Sequence, residues 1–260
     1  MTKTYALIDT HAHLDAIEDL RPVIEKARDV GVSCIVAVGV DYESNNQVLE
    51  IAAKYAPLVV PALGCHPGNL PESSSELEKN IQFIEDNHVS AVAIGEIGLD
   101  YHKRILPRAS RDHQKGVLWE VLKLAKRYSK PALIHSRYAW RDAFDIVRES
   151  EVERAVFHWY TGPMNVLRDA VGLGYFFSAT LAAEYHEEHR RAIKEVPLER
   201  LMLETDCPVI YRSMTKLALP SEPADVARVL KAVAELRGDD PAALAQQTTD
   251  NALGFFNIHR

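Results

Sequence analysis

The chain has 260 residues, of which 47% are hydrophobic and 26% charged, a balance typical of a globular protein with a large core. Its formal net charge of -7 excludes nucleic-acid binding through a generally basic surface, so any such binding must use a local patch or bound cations. We expect a cytoplasmic protein without a membrane span, because the sequence lacks a long apolar run and a signal peptide, and its three scattered cysteines suit a reducing compartment.

Short apolar runs bounded by turn residues predict eight β-strands of the kind that is covered on both faces. In chain order they lie at residues 6–9, 34–38, 58–63, 92–95, 132–134, 155–157, 175–178 and 201–203. Helical periodicity predicts helices at residues 20–30, 45–55, 76–86, 111–128, 140–149, 165–171, 187–195, 223–236 and 241–256. This alternation predicts an α/β protein, a single (β/α)8 TIM barrel with residues 1–260 as one domain, and an open doubly wound sheet is the alternative.

Polar clusters rich in histidine and acidic residues follow six of the predicted strands. In chain order they read DTHAHLD, GCHPGN, GEIGLDYH, IHSRYAW, FHWYTG and LETDCP. The C-terminal ends of the strands of a TIM barrel meet at one mouth, where residues remote in sequence become neighbours. The clusters therefore predict an active site at that mouth.

The side chains in these clusters indicate a metal site at the C-terminal ends of the strands. His11 and His13 are two residues apart, so both face the same side of a strand and can bind one cation. Other strand ends add nitrogen and oxygen ligands from Glu96, His135, His158 and Asp206. Because a carboxylate such as Glu96 can bridge two ions, we predict two divalent metal ions, with Zn, Mg or Mn as candidates.

At these clusters the sequence resembles the TatD family of metal-dependent deoxyribonucleases, within the amidohydrolase-like superfamily of barrels. The resemblance runs from IDTHAHLD through LGCHPGN, AIGEIGLDYH, PALIHSR, FHWYTG and LMLETDCP to TTDNALGFF, and covers almost the whole chain. It implies two sets of ligands that share Glu96, with His11, His13 and Asp206 for one metal and His135 and His158 for the other. It also implies that His66 binds a substrate phosphate or lies just outside the metal ligands.

The resemblance implies hydrolysis of nucleic-acid phosphodiesters, a reaction that a pair of metal ions suits. We expect Asp206 to act as general base or to orient the attacking water, Glu96 to bridge the ions, and no covalent nucleophile to take part. Glu204, two residues before Asp206, is interpreted as a support for the ligands. DNA is the expected substrate, as a single strand or as an end trimmed by an exonuclease.

Cationic and aromatic residues near the predicted strand ends are candidates for substrate contact. Arg137 is the favoured cation, and other cations lie nearby, among them Arg212 and Lys216 after the eighth strand. The candidate stacking surfaces for unpaired bases are Tyr101, Trp159, Tyr160 and Tyr211. Two other functions stay open: hydrolysis of a small cyclic amide or lactone, and a weakly active metal-bound subunit of a larger assembly.

Overall fold

The structure is a computed structural model that describes residues 5–211 and 220–258. Eight parallel strands form one sheet in the order β1 to β8. Their bounds are β1 Leu7–Ala12, β2 Val32–Val38, β3 Val59–Cys65, β4 Ala93–Asp100, β5 Ala132–Arg137, β6 Ala155–Phe157, β7 Phe176–Ala179 and β8 Leu201–Leu203. Hydrogen bonds from Asp206 N–H to the His11 carbonyl and from His13 N–H to the Cys207 carbonyl join the two edges of the sheet. The predicted TIM barrel is confirmed.

The helices surround this barrel. Their bounds are α1 Leu20–Asp29, α2 Tyr42–Tyr55, α3 Ser74–Asn87, α4 Arg111–Arg127, α5 Trp140–Glu149, α6 Met164–Gly172, α7 Glu187–Glu195, α8 Val226–Arg237 and α9 Pro241–Phe256. Within the described ranges, none of these helices combines the length and the apolar character that crossing a membrane requires.

Three strands continue at least three residues beyond their predicted C-terminal ends. β1 continues to Ala12, β4 to Asp100 and β5 to Arg137, whereas the sequence pattern ended them at residues 9, 95 and 134. A search for apolar runs stops at the first polar side chain. These polar side chains remain in strands because they contact one another at the mouth, as described below.

Apolar side chains fill the barrel below the mouth. One cluster combines seven strands and the last helix, namely Ile8, Val36, Ala62, Ala93, Leu133, Val156 and Met202 with Phe255 and Phe256 of α9. Side chains from so many strands become mutual neighbours only inside a closed barrel. Helix α9 therefore seals the end of the barrel opposite the mouth.

Two β-bulges change which residues of β1 and β4 face the interior. Between residues 9 and 12, β1 advances three residues while β2 advances two. Between residues 94 and 97, β4 likewise has one residue more than β3 and β5. An extra residue reverses the alternation of side chains. His11 and Glu96 therefore each lie three residues, not two, beyond the preceding interior side chain.

His189 of α7 ties two loops of the mouth together as a neutral, buried imidazole. Its Nε2 accepts a hydrogen bond from the Thr180 N–H at 3.1 Å, and its Nδ1 donates to the Tyr160 carbonyl at 2.9 Å. Burial lowers the pKa of His189 to about 4. As the pH falls from about 6.5 to 4, this histidine gains a proton in the unfolded chain but not in the folded one, so the fold loses stability.

We predict that His189→Asn weakens this pH dependence. The decrease in unfolding free energy between pH 6.5 and 4 should be smaller in the variant by up to about 3 kcal/mol, as measured by urea denaturation at several pH values. His113→Asn, at an exposed position of α4, is the matched control. Equal decreases in His189→Asn and the unchanged protein would contradict the prediction.

Candidate metal centre

The carboxylate of Glu96 lies at the centre of the mouth and faces five imidazoles. Glu96 is only 3% exposed. Its Oε2 lies 3.4 Å from Nε2 of His11 and 3.5 Å from Nε2 of His13. Its Oε1 faces a second set, with His135 Nδ1 and His158 Nε2 at 2.8 Å and His66 Nε2 at 3.6 Å. The two oxygens of one side chain thus face different sets of histidines.

Asp206 completes the first of these sets. Its Oδ1 lies 3.3 Å from Nε2 of His13 and 3.7 Å from Nε2 of His11. The structure therefore brings all six predicted ligands together. Three overlapping groups have ligand atoms within 4.8 Å of one another: His11, Glu96 and His158; His11, His13 and Asp206; and His66, Glu96 and His135. His66, predicted as a substrate contact, belongs to the last group.

The residues at the mouth fit bound cations. Nε2 of His11, the ring nitrogen that faces Glu96 and Asp206, is buried without a hydrogen-bond partner in the described chain. Unpaired buried nitrogens cost free energy, and a metal ion is a partner that such nitrogens accept. Imidazole nitrogens mixed with carboxylate oxygens are a donor set for divalent zinc and the first-row transition metals.

Two glycines allow β4 to present Glu96 at this place. A Cβ at Gly64 of β3 would lie 2.3 Å from the backbone nitrogen of Glu96. A Cβ at Gly98 would lie 2.0 Å from the carbonyl oxygen of His135, and the φ of +153° at Gly98 suits glycine. A side chain at either position would therefore displace the strand that carries the central carboxylate.

Glu204 supports the histidines from below. It is fully buried, and its Oε1 accepts hydrogen bonds from the Ser178 hydroxyl at 2.6 Å and from the Trp159 N–H at 3.0 Å. Its Oε2 lies 3.4 Å from Nδ1 of His158. Burial raises the pKa of Glu204, but the nearby His158 outweighs this and lowers it, so the carboxylate is ionised. Its position agrees with the predicted support for the ligands.

Asp100 is a further buried carboxylate of the site, and it is not among the residues predicted from the sequence. Its Oδ2 lies 3.3 Å from Nε2 of His135 and 2.6 Å from Nη2 of Arg137. Burial raises the pKa of Asp100, but His135 and Arg137 outweigh this and hold it well below its usual range. The available signal was an acid at the end of the apolar run GEIGLD, four residues after Glu96.

A cavity of about 880 Å³ opens above the ligands. His66 and Arg137, two of the predicted substrate contacts, line it. Tyr101, the third, is not among the described residues of the wall, and its hydroxyl donates to Asp142 at 2.7 Å. The position of Tyr101 therefore gives no support to a contact with substrate.

The other residues predicted to contact the substrate also differ in whether they reach the cavity. Trp159 lines the cavity, whereas Tyr160 and Tyr211 are buried in the core. Arg212 and Lys216 lie outside the described residues.

Comparisons with known proteins agree with this architecture. A family model described as TatD related DNase matches residues 8–257. The chain is 32% identical to a Bacillus subtilis protein named uncharacterized metal-dependent hydrolase YabD, over 97% of this chain and 100% of that one. It is 30% identical to human deoxyribonuclease TATDN3, over 96% and 94% of the two chains. The crystal structure of the TatD homologue YJJV from Escherichia coli superposes with a TM-score of 0.88 at 32% identity, over 97% and 98%.

We predict that Glu204→Gln weakens metal binding about 10- to 100-fold, because the neutral amide no longer stabilises the buried imidazoles of His11 and His158. Isothermal titration with Zn²⁺ or Mn²⁺ measures this affinity, and circular dichroism checks the fold. Glu153→Gln, at an exposed position, is the control. An affinity equal to that of the unchanged protein would show that Glu204 does not act on the ligands.

Proposed function

Because the chain belongs to the TatD-related DNase family, and so to the metal-dependent hydrolases, we propose that it is a two-metal deoxyribonuclease. It hydrolyses DNA phosphodiesters in a single strand or at a DNA end, as an exonuclease does. The observation that supports this proposal most strongly is the geometry of Glu96. Its two oxygens face separate sets of histidines, so one carboxylate can serve two ions.

The proposed ligand sets follow from this geometry. Glu96 would hold one ion together with His11, His13 and Asp206, and it would hold the other together with His135 and His158. His66 lies on the cavity wall beside the second set, and this position supports its assignment as a phosphate contact. Bound divalent cations supply Lewis-acid activation of water and neutralise the charge of the phosphate.

The side chains of the protein would orient the attacking water, accept its proton and contact the phosphate. Asp206 lies on the cavity wall with an acceptor oxygen, and we assign it as the general base or the residue that orients the water. Arg137 is held by a hydrogen bond from its Nε–H to Asp100 and by an ion-pair contact from Nη2 to the same carboxylate, which leaves other guanidinium N–H groups for a phosphate oxygen.

The size of the cavity supports a single strand or a strand end as substrate. Its volume of about 880 Å³ lies within the range of about 300 to 1,000 Å³ for small-ligand sites. Such a cavity accepts a nucleotide or two but not a double helix.

We predict that the purified chain degrades labelled single-stranded DNA with Mn²⁺ or Mg²⁺, and that a chelator abolishes the activity. His135→Ala should lower the rate by about a hundredfold or more and reduce the metal content, because it removes one ligand at a position outside the core. Elemental analysis and gel assays measure both effects.

The matched control is His113→Ala, which removes an exposed imidazole of α4. An unchanged rate and metal content in His135→Ala would count against the ligand assignment. Hydrolysis of cyclic amides or lactones in place of any oligonucleotide, DNA or RNA, would overturn the nuclease proposal in favour of a small-molecule hydrolase.

A further inference from the structure

Three aromatic residues, Tyr138, Trp140 and Trp159, line the cavity and are called the aromatic wall below. Tyr138 follows β5, the strand of His135, and Trp159 directly follows His158. The rings of Tyr138 and Trp140 meet edge to face, with centroids 5.8 Å apart. The proposed metal ligands and the aromatic wall therefore come from the same strand ends.

The exposure and the backbone conformation of Tyr138 are both unfavourable for the stability of the fold. Its side chain is large, yet the residue is 60% exposed, and its φ is +58°. A positive φ is unfavourable for a bulky residue, and the exposed part of the ring gains nothing from the hydrophobic effect. Contacts with Trp140 and with His102, whose ring centroid lies 6.0 Å away, bury only the smaller part of the residue, so burial offsets little of this cost. Such residues are concentrated at binding and catalytic sites.

The backbone of Trp159 is held by a residue of the metal site. Its φ is +40°, and its backbone N–H donates to Glu204, the carboxylate that faces His158. Its ring packs near Tyr211, with centroids 5.3 Å apart. The same buried acid therefore contacts an imidazole and the backbone that carries the adjoining indole.

The charges on the cavity wall show where a phosphate would lie. Arg137 is the permanently cationic residue among the described lining residues, and it immediately precedes Tyr138. Asp15 and Glu188 also line the cavity, and their carboxylates repel a phosphate. A phosphate held at the metal centre beside Arg137 therefore places its nucleoside toward the aromatic wall.

We propose that the aromatic wall is a nucleobase-binding subsite, in which a base next to the scissile phosphate stacks on Tyr138. Stacking on an aromatic ring recognises the π-face that every base has, so the subsite requires a base but not a particular sequence. This inference rests on the proposed deoxyribonuclease function. It concerns the nucleobase, a part of the substrate that the proposed metal ligands do not contact.

The test compares two single-stranded oligonucleotides that differ only in the terminal nucleotide, which is either normal or abasic. With Mn²⁺, the unchanged enzyme should have a KM for the normal strand about tenfold lower or more, as expected from the strength of base stacking on aromatic residues. In Tyr138→Leu this preference should fall to nearly one. Tyr138→Phe keeps the ring and should retain the preference. Trp119→Leu, at an exposed aromatic of α4, is the matched control.

Two outcomes would overturn the subsite. One is an equal KM for the two strands in the unchanged enzyme, and the other is a preference that survives in Tyr138→Leu. The proposed function has a separate readout, because the abasic strand still contains the scissile phosphodiester bonds. Failure to cleave either strand with metal present would count against the nuclease proposal, whereas equal cleavage of both would count against the aromatic wall alone.

Discussion

The constraint that organises the molecule is a carboxylate buried among imidazoles. Glu96 is almost inaccessible to water, and a buried charge is costly unless neighbouring groups compensate it. Burial raises the pKa of Glu96, but His66, His158 and His11 outweigh this and lower it well below its usual range. Glu96 is therefore an ionised carboxylate with nitrogen donors on two sides. The bulge in β4 and the close approach of Gly64 and Gly98 serve to hold it there.

The sequence was sufficient to predict the barrel and to select six side chains that the structure brings together, because apolar strands and polar strand ends leave a direct pattern. Alternation also explains His135 and His158, each two residues beyond an interior side chain, Leu133 and Val156. Alternation does not explain Glu96, because regular alternation along β4 would direct this side chain away from the barrel interior. A bulge depends on how neighbouring strands pair, and hydrophobicity along one strand contains no information about that pairing.

The aromatic residues also show that the sequence predicts which residues follow the strands but not which of them face the cavity. Tyr101 and Tyr138 both follow strands of the mouth, and composition alone does not distinguish them. The hydroxyl of Tyr101 is bonded to Asp142, and a guanidinium lies over its ring, so it belongs to the surface between β4 and the helices. Tyr138 reaches the cavity because its backbone adopts a left-handed conformation. Such local backbone geometry decides where a side chain points, whereas the residue type decides only which contacts the side chain can make.

Helix α9 makes hydrogen bonds with the residues at the starts of β1 and β8. Thr249 of α9 donates a hydrogen bond to the Ala6 carbonyl just before β1, and Asn251 donates to the carbonyls of Leu198 and Leu201 that precede and start β8. Phe255 of the same helix lies against the interior of the barrel. Thr249 lies 243 residues after Ala6 in the sequence, so on the ribosome β1 is synthesised long before the helix that completes its surroundings. The barrel therefore cannot close around its first strand until all eight strands and α9 have been made.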